Sequence, residues 1–382
     1  MTDQCPINGE RLAADFVRLC ETDSPSRQEG KVAALLRDIF AELGAAEIID
    51  DGSAAVTGSD TGNLIIRFPG DPSRDPLFFN CHMDTVEPAR GVKVRREGDL
   101  FFSSGDTVLG SDDKSGIAAI IEAIRCLREN RSAHRPLEIV LTTCEEIGLL
   151  GAKSLDPALL RSRMGYALDS TGFGTVITGA PAANRLNITV RGVAAHAGLH
   201  PEWGISAITL AAQAVSSSPH GRVDDLSTIN FGTIQGGKAT NIVADQVVIR
   251  GEIRSHATGR LESLTGQVRD IFARTVSDWR DPRGEARGRP DLTFTVEPDF
   301  PVMKLSADDP VLRHVDRAAR SIGLKLQYAI AGGGSDANIF NGHGLQTAII
   351  ATGMTNVHST DEQVNLADMV GLTRLLIALA TL

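Results

Sequence analysis

Residues 76–85 read PLFFNCHMDT, an apolar run that ends in a histidine and an aspartate two positions apart. Further short apolar runs follow along the chain, and stretches with the apolar spacing of a helix alternate with them. Strands that alternate with helices predict an α/β fold with a largely parallel sheet covered by helices on both faces. The predicted strands lie at 63–68, 76–81, 137–143, 166–168 and 347–352, with a helix near 115–128 and two opening helices within 9–43, broken at 23–26.

Acidic and histidine side chains follow directly after several of these strands. They are His82, Glu145, Glu146, Asp169 and His358. Because ligands of such sheets bind beyond the carboxyl ends of the strands, these segments are predicted to meet at one rim. Asp112 precedes a helix in a glycine-flanked loop, where backbone amides help to hold carboxylates.

Imidazoles and carboxylates without a thiolate are the ligand set that zinc, cobalt or manganese prefer. The predicted ligands are His82, Asp112, Glu146, Asp169 and His358. Three carboxylates and one hydroxide would balance the four charges of two divalent ions.

Two further carboxylates are predicted to assist these ligands. His82 and Asp84 share a face of an extended segment, so Asp84 is predicted to hold the far nitrogen of His82. Adjacent carboxylates repel unless a cation is near, and Glu145, beside the ligand Glu146, is predicted to be the general base on the attacking water.

Each motif taken alone also has a purely structural explanation. The acidic pair fits a solvated rim, Asp112 with its acidic neighbour fits the first turn of a helix, and Asp169 fits a cap. His358 could be an ordinary loop histidine. The triplet from His82 to Asp84 is by itself only weak evidence for a metal site. The combination favours a metal centre and metal-assisted hydrolysis.

Between residues 184 and 297 the pattern changes to β-α-β-β-α-β, the order of a ferredoxin-like domain. Its predicted elements are strands at 185–190, 228–234, 239–253 and 291–296 and helices at 205–215 and 261–276, with a surface loop at 281–290. We therefore expect a catalytic domain of residues 1–183 and 298–382, with an inserted lid or dimerisation domain of residues 184–297.

The composition is that of a globular enzyme. Its 38 basic and 48 acidic side chains give a formal charge of −10, and without a basic patch this argues against nucleic-acid binding. The five cysteines are odd in number and form no CxxC pair, which favours a reducing cytoplasm over a disulfide framework. Neither a signal peptide nor an apolar run of about 18 residues is evident, so no membrane partner is predicted.

The chain resembles the dinuclear-zinc peptidases in the order of its motifs, which are HMDT (82–85), GSDDKSG (110–116), CEEIG (144–148), LDS (168–170), GGGSDAN (332–338) and NVHST (356–360). That family includes tripeptide aminopeptidase (peptidase T), carboxypeptidases and aminoacylases, and the resemblance to the peptidase T-like branch covers nearly the whole chain. It implies that Asp112 bridges two zinc ions, with the other four ligands divided as His82 with Asp169 and Glu146 with His358. It also implies that Asp84 is a catalytic residue behind His82 and that Glu145 is the proton shuttle.

The same resemblance implies substrate contacts. His196, within GVAAHAGLHPEWG (192–204), corresponds to a histidine that reaches the substrate carbonyl, in dimeric members from the partner subunit, as an oxyanion donor. Asn241 and Arg254 match positions that bind the substrate's backbone and carboxylate, and Gly333 and Ser335 belong to the Gly-rich loop near the substrate. A homodimer through the inserted domain is therefore expected. A strand arginine with a surface partner and a simple tight turn are the structural alternatives for Arg254 and the glycine run.

The preferred hypothesis is a two-metal exopeptidase, an aminopeptidase on di- or tripeptides, in which a bridging hydroxide attacks the peptide carbonyl and Glu145 carries the proton. The predicted cofactors are two divalent ions, Zn²⁺ first, with Co²⁺ or Mn²⁺ as alternatives. Tripeptidases of the family carry an arginine before the glycine run, whereas this chain has Ala331. That departure keeps open an amidohydrolase that removes an acyl or carbamoyl group from an amino acid. A catalytically silent metal- or peptide-binding protein is the third hypothesis, and retention of Glu145 and Asp84 argues against it.

Overall fold

The structure, a computed structural model, describes residues 7–382. The chain forms two compact units: the larger comprises residues up to 179 with 304–331 and 335–382, and the smaller comprises residues 180–303 with 332–334. Within the described residues, no helix combines the length and the apolar character needed to cross a bilayer.

The strands are numbered in chain order. They are β1 (Glu47–Asp50), β2 (Leu64–Phe68), β3 (Leu77–His82), β4 (Val94–Glu97), β5 (Leu100–Ser103), β6 (Leu137–Thr142), β7 (Met164–Ala167), β8 (Phe173–Ala180), β9 (Ala182–Arg191), β10 (Gly221–Asp224), β11 (Ser227–Gly236), β12 (Gln246–Ser255), β13 (Asp291–Phe300), β14 (Met303–Lys304), β15 (Gln327–Ile330), β16 (Gln346–Thr352) and β17 (Gln363–Asn365).

The helices follow the same order. They are α1 (Gly9–Cys20), α2 (Gly30–Glu42), α3 (Ala54–Thr57), α4 (Ser111–Glu129), α5 (Leu150–Ser154), α6 (Ala207–Ser217), α7 (Thr258–Ser277), α8 (Pro310–Ser321), α9 (Asp336–Gly342) and α10 (Leu366–Thr381). The two opening helices therefore form as predicted, on either side of the break at residues 23–26.

The main sheet has the strand order β1-β2-β6-β3-β7-β16-β8-β14, with β15 beside β8. Its central strands β6, β3, β7 and β16 run parallel, whereas β2 pairs antiparallel with β6 and β8 pairs antiparallel with β16. All residues of β3 and β6 are buried, as in strands covered on both faces. The predicted α/β fold with a mostly parallel sheet is confirmed. The antiparallel strands on either side of the parallel centre were not predicted.

Helix α4 supplies much of the core of the larger unit. Its Ile117, Ile120 and Ile121 are fully or almost fully buried, together with Phe16 of α1 and Leu376 of α10. A separate three-stranded sheet with the order β17-β5-β4 lies in the same unit. Strand β17 follows His358 closely in the chain, so this small sheet anchors one end of a predicted ligand loop.

The smaller unit is an antiparallel sheet with the order β10-β11-β12-β9-β13 and two helices, α6 and α7, that share a hydrophobic core with it. The predicted ferredoxin-like order is present, with the short edge strand β10 added. The predicted start of a strand at residue 239 is wrong, since β12 begins at Gln246. Backbone groups of Asn241 and Val243 bond to Ala197 and Ala195 instead, at 2.9 Å each, which draws this segment away from the sheet.

Candidate metal centre

The central strands bring the predicted ligand residues to one edge of the main sheet. His82 is the last residue of β3, Glu146 lies just beyond β6, Asp169 just beyond β7 and His358 beyond β16. Because these four strands run parallel, their carboxyl ends lie along the same edge. Asp112 stands in the first turn of α4, where its own backbone is extended, with φ −83° and ψ 104°.

Asp112 lies between two imidazoles. Its Oδ1 is 3.0 Å from Nε2 of His82, and its Oδ2 is 3.3 Å from Nε2 of His358. The same His358 nitrogen is 3.1 Å from Oε1 of Glu146. The candidate ligand atoms of His82, Asp112 and Glu146 all lie within 4.8 Å of one another. The carboxylate of Asp112 thus turns one oxygen to each histidine.

The donor set fits divalent cations. Oε1 of Glu146 is buried and, although the His358 imidazole is close, it has no hydrogen bond of acceptable geometry to any of residues 7–382. A buried carboxylate oxygen without a donor is costly, and a cation between this oxygen and the imidazole would satisfy both groups. Imidazole nitrogens and carboxylate oxygens are also the donors that zinc, cobalt and manganese accept.

Negative charge accumulates around this group. Burial, together with the nearby carboxylate of Asp112, raises the pKa of Asp169 to about 7. Burial and the charge of Asp169 likewise raise the pKa of Glu145 well above its ordinary value, and burial raises the pKa of Glu146. Carboxyl groups that resist ionisation in this way would ionise more easily beside a bound cation.

Asp84 holds the acidic pair as well as the histidine. Nδ1 of His82 is 2.9 Å from the backbone oxygen of Asp84 and 3.5 Å from its carboxylate Oδ1, so the nearer partner is the backbone. The carboxylate accepts the backbone N–H of Glu145 at 2.9 Å, that of Glu146 at 3.2 Å and the hydroxyl of Ser26 at 2.7 Å. Asp84 therefore holds Nδ1 of His82 as predicted, but chiefly through its backbone oxygen. The spacing of the two side chains had indicated the carboxylate instead.

Two buried carboxylates of this region were not predicted from the sequence. Glu29 accepts the backbone N–H of Cys144 at 2.9 Å, one position before the acidic pair. Asp336 accepts the Thr142 hydroxyl at 2.5 Å through Oδ2, while its buried Oδ1 has no hydrogen-bond partner among residues 7–382. Burial raises the pKa of Asp336 to about 6. Asp336 had a signal, its place in GGGSDAN, whereas Glu29 resembles any acidic residue at the start of a helix.

In the smaller unit the structure brings His196 close to Asn241. Nδ1 of the exposed His196 accepts the backbone N–H groups of Gly198 and Leu199, each at 3.2 Å. In a neutral imidazole this places the proton on Nε2, which is then able to donate a hydrogen bond. Ala197 donates its N–H to the backbone oxygen of Asn241 at 2.9 Å, so the two predicted substrate-binding segments pair directly.

Arg254 and Gly333 also lie together in the smaller unit. A Cβ built on Gly333 would stand 3.7 Å from Nη1 of Arg254, whose guanidinium lies over the Phe300 ring, 5.9 Å from its centroid. Nη2 of Arg254 donates to Glu252 at 3.1 Å. Such a carboxylate partner is what the alternative explanation of Arg254, a strand arginine with a surface partner, predicts.

Ser335 has a clear structural role in the larger unit. It is the N-cap of α9, and its hydroxyl accepts the N–H of Ala337 at 3.3 Å. Its side chain is almost fully buried. A contact of Ser335 with substrate stays a prediction.

The family model described as "Peptidase family M20/M25/M40" matches residues 78–382. The chain belongs to this peptidase family. A relative in Bacillus subtilis, the uncharacterized protein YqjE, is 36% identical over 374 residues, covering 98% of each chain. Among solved structures, the aminopeptidase PepT of Bacillus cereus is 38% identical with a TM-score of 0.88, and a tripeptidase of Staphylococcus aureus is 33% identical with a TM-score of 0.91. Each alignment covers 98% of both chains.

Membership of the M20 family makes this chain a metal-dependent peptide hydrolase, and the resemblance to the peptidase T-like branch is confirmed. The family depends on a dinuclear metal site, and the cluster at Asp112 is a candidate for it.

Proposed function

We propose that this M20 peptidase is a dinuclear-metal aminopeptidase that releases the N-terminal residue of di- or tripeptides. The observation that carries the proposal is Asp112, whose two oxygens face His82 and His358. Beside it lies Oε1 of Glu146, which accepts no hydrogen bond from residues 7–382. The relatives named aminopeptidase PepT and tripeptidase, which align along nearly the whole chain, support short peptides as the substrate.

The ligands divide into two sets around Asp112. His82 with Asp169 would hold one ion and Glu146 with His358 the other, and Asp112 would be shared. Divalent ions held by these residues would supply Lewis-acid chemistry, polarising a carbonyl and lowering the pKa of a water molecule. The nitrogen and oxygen donors favour Zn²⁺, with Co²⁺ or Mn²⁺ as alternatives.

Glu145 is the proposed general base. Its raised pKa, caused by burial and by the charge of Asp169, suits a carboxylate that takes a proton from the attacking water and returns it to the leaving amine. Asp84 and Glu29 bind the backbone of residues 144–146 and so orient the Glu145 side chain. A base held in this way needs no rearrangement before proton transfer.

Groups of the smaller unit are proposed to bind the substrate. The Nε2–H of His196 would donate to the oxyanion that develops on the scissile carbonyl, as a preorganised donor. Asn241 would bind the peptide backbone, and Arg254 near Gly333 would bind a carboxylate with its planar fork.

We also propose a homodimer through the smaller unit. Five of its large apolar side chains are exposed, at Leu199, Ile208, Leu226, Ile234 and Ile242. Ile242 lies near the segment that carries His196, since the two residues pair in an isolated bridge. A light-scattering mass of one chain in a fully active sample would contradict the dimer. A cytoplasmic location stays a prediction.

The test of the proposed mechanism compares Glu145→Gln with Glu146→Gln. The first is expected to bind metal like the parent and to lose turnover, because only the proton carrier is removed. The second is expected to lose metal and turnover together, because a ligand is removed. Near-normal hydrolysis by Glu145→Gln would contradict the assignment of the base.

Ala331 favours a second candidate function. It stands where tripeptidases of the family carry an arginine, so one expected contact to the substrate carboxylate is missing. An amidohydrolase that removes an acyl or carbamoyl group from an amino acid is consistent with that change. Preference for N-acetyl amino acids over free peptides would support this candidate against the first.

A further inference from the structure

Glu362 is a buried carboxylate that belongs to neither predicted ligand set. Only 1% of it is exposed, and its two oxygens accept four hydrogen bonds from residues 109–112. Oε2 accepts the N–H groups of Leu109 and Gly110, each at 2.9 Å. Oε1 accepts the Ser111 hydroxyl at 2.6 Å and the N–H of Asp112 at 3.0 Å.

Glu362 also closes the loop that carries His358. Its own N–H donates to the oxygen of Ser359 at 3.2 Å, and the Ser359 hydroxyl donates to the oxygen of Asn356 at 2.7 Å. His358 has a φ of 61°, a left-handed conformation that a side chain with a Cβ rarely adopts without support from its surroundings. The loop is therefore held in an unfavourable backbone conformation at the residue that faces Asp112.

One side chain thus connects two segments that are about 250 positions apart in the sequence, the first turn of α4 and the loop before β17. Between them, Nε2 of His358 and Oδ2 of Asp112 are 3.3 Å apart. A carboxylate suits the task because both its oxygens accept only, and four donors face them. Negative charge is also favoured beside the unpaired N–H groups at the beginning of a helix.

We propose that Glu362 is a positioning residue that holds Asp112 and His358 at the separation needed to bind metal. The proposal rests on the proposed function, in which these two residues are ligands. It predicts that Glu362 sets the affinity of the centre for metal without touching it, as partners behind metal ligands commonly do. The competing explanation is that Glu362 only caps α4 and stabilises the fold.

The chain contains a matched control for that explanation. Glu138 is also buried and accepts backbone N–H groups, from Arg161 at 3.0 Å and from Ser162 at 2.7 Å. It further accepts the Ser162 hydroxyl at 2.6 Å, the same distance as the Ser111 hydroxyl to Glu362. Arg67 also donates to Glu138 through Nε at 3.0 Å. None of these partners is a candidate metal ligand, so Glu138 shares the backbone and hydroxyl contacts of Glu362 and differs in this ion pair and in what it holds.

The experiment measures the affinity of the metal-free full chain for Zn²⁺, by competition with a chromophoric chelator, alongside the melting temperature of the metal-free protein. The variants are Glu362→Gln and Glu138→Gln, with Ser111→Ala and Ser162→Ala as milder changes. Glu362→Gln is expected to weaken Zn²⁺ binding roughly 10- to 100-fold, while Glu138→Gln binds like the parent although its melting temperature falls. Ser111→Ala is expected to weaken binding about fivefold and Ser162→Ala not at all.

Parental Zn²⁺ affinity in Glu362→Gln would overturn the proposal, whatever happens to its melting temperature. If that variant does not fold, equal affinities of Ser111→Ala and Ser162→Ala would overturn it instead. Asp112→Asn separates this inference from the proposed function. Binding of two Zn²⁺ ions by Asp112→Asn with parental affinity would contradict the metal centre itself, whereas weakened binding in Asp112→Asn with full binding in Glu362→Gln would contradict only the positioning role.

Discussion

Oδ1 of Asp84 accepts a hydrogen bond from the backbone N–H of Glu145 at 2.9 Å. Asp84 follows β3 and Glu145 follows β6, so the bond connects the segments beyond these two neighbouring strands. The carboxylate of Asp84 therefore also sets the position of the proposed base. A second bond from the N–H of Glu146 at 3.2 Å fixes the neighbouring ligand through the same side chain.

Asp84→Asn is expected to lower kcat by about 100-fold, since a small misplacement of a catalytic group costs that much. The amide offers one acceptor where the carboxylate offers two, so the N–H of Glu145 or of Glu146 loses its partner. Steady-state kinetics with metal content measured on the same samples test this. Ser26→Ala, which removes one hydroxyl from Asp84, should lower kcat by less than about tenfold. A kcat of Asp84→Asn close to that of the parent would contradict the role.

The ligand residues were predictable because their signals are local. A buried strand such as β3 begins with the apolar run of residues 77–79, and His82 at its end is visible from sequence alone. Parallel strands then place His82, Glu146, Asp169 and His358 at one edge without any knowledge of the loops. The α/β class followed from the same alternation of strands and helices.

The supporting carboxylates were not predictable in this way. Glu29 and Glu362 act on backbone N–H groups of segments 115 and about 250 positions away, and nothing in their own neighbourhoods marks that contact. The late start of β12 has the same cause, because Asn241 and Val243 pair with residues 195–197 rather than with a strand. Pairings across long sequence separations leave no periodic trace.

Chelation of bound metal is expected to abolish hydrolysis, and Zn²⁺ is expected to restore it. Elemental analysis should find about two ions per parent chain, the number that the ligand sets around Asp112 can hold. Asp112→Asn, which loses the shared ligand, should hold about one ion or fewer. Asp316→Asn is the control, since that exposed carboxylate pairs with Tyr328. Two tightly held ions in Asp112→Asn would contradict the shared role.

His196→Ala is expected to lower kcat/KM about 100- to 1,000-fold, the usual cost of one oxyanion donor. The control is His200→Gln in the same loop, whose ring stacks on Trp203 at 3.6 Å between centroids and has no role in the proposed mechanism. This control should stay within about fivefold of the parent, as a lost surface contact allows. Equal losses in both variants would mean that the loop, rather than the donor, matters.

His314 should make stability depend on pH. Burial, with Arg135 and Arg317 nearby, lowers its pKa from 6.5 to about 4. The unfolded chain therefore takes up the proton first as the pH falls, and the stabilisation present above pH 6.5 is lost between about pH 6.5 and 4. It amounts to at most roughly 3 kcal/mol.

The measurement is the melting temperature of the metal-free parent and of His314→Gln at a series of pH values. The deficit of the variant at pH 7 is expected to shrink as the pH falls below 6.5, because only the parent loses this contribution. His343→Gln, at an exposed histidine, should follow the parent throughout. A constant difference between parent and His314→Gln would contradict the prediction.

The aminopeptidase activity is tested most directly by mass-spectrometric analysis of the products that the zinc-loaded chain forms from free tripeptides mixed with N-acetyl amino acids. We expect release of the N-terminal residue from the tripeptides, with the acetylated compounds intact, despite Ala331. Deacetylation with the tripeptides intact would contradict the aminopeptidase and would leave the M20 likeness as one of fold and metal centre.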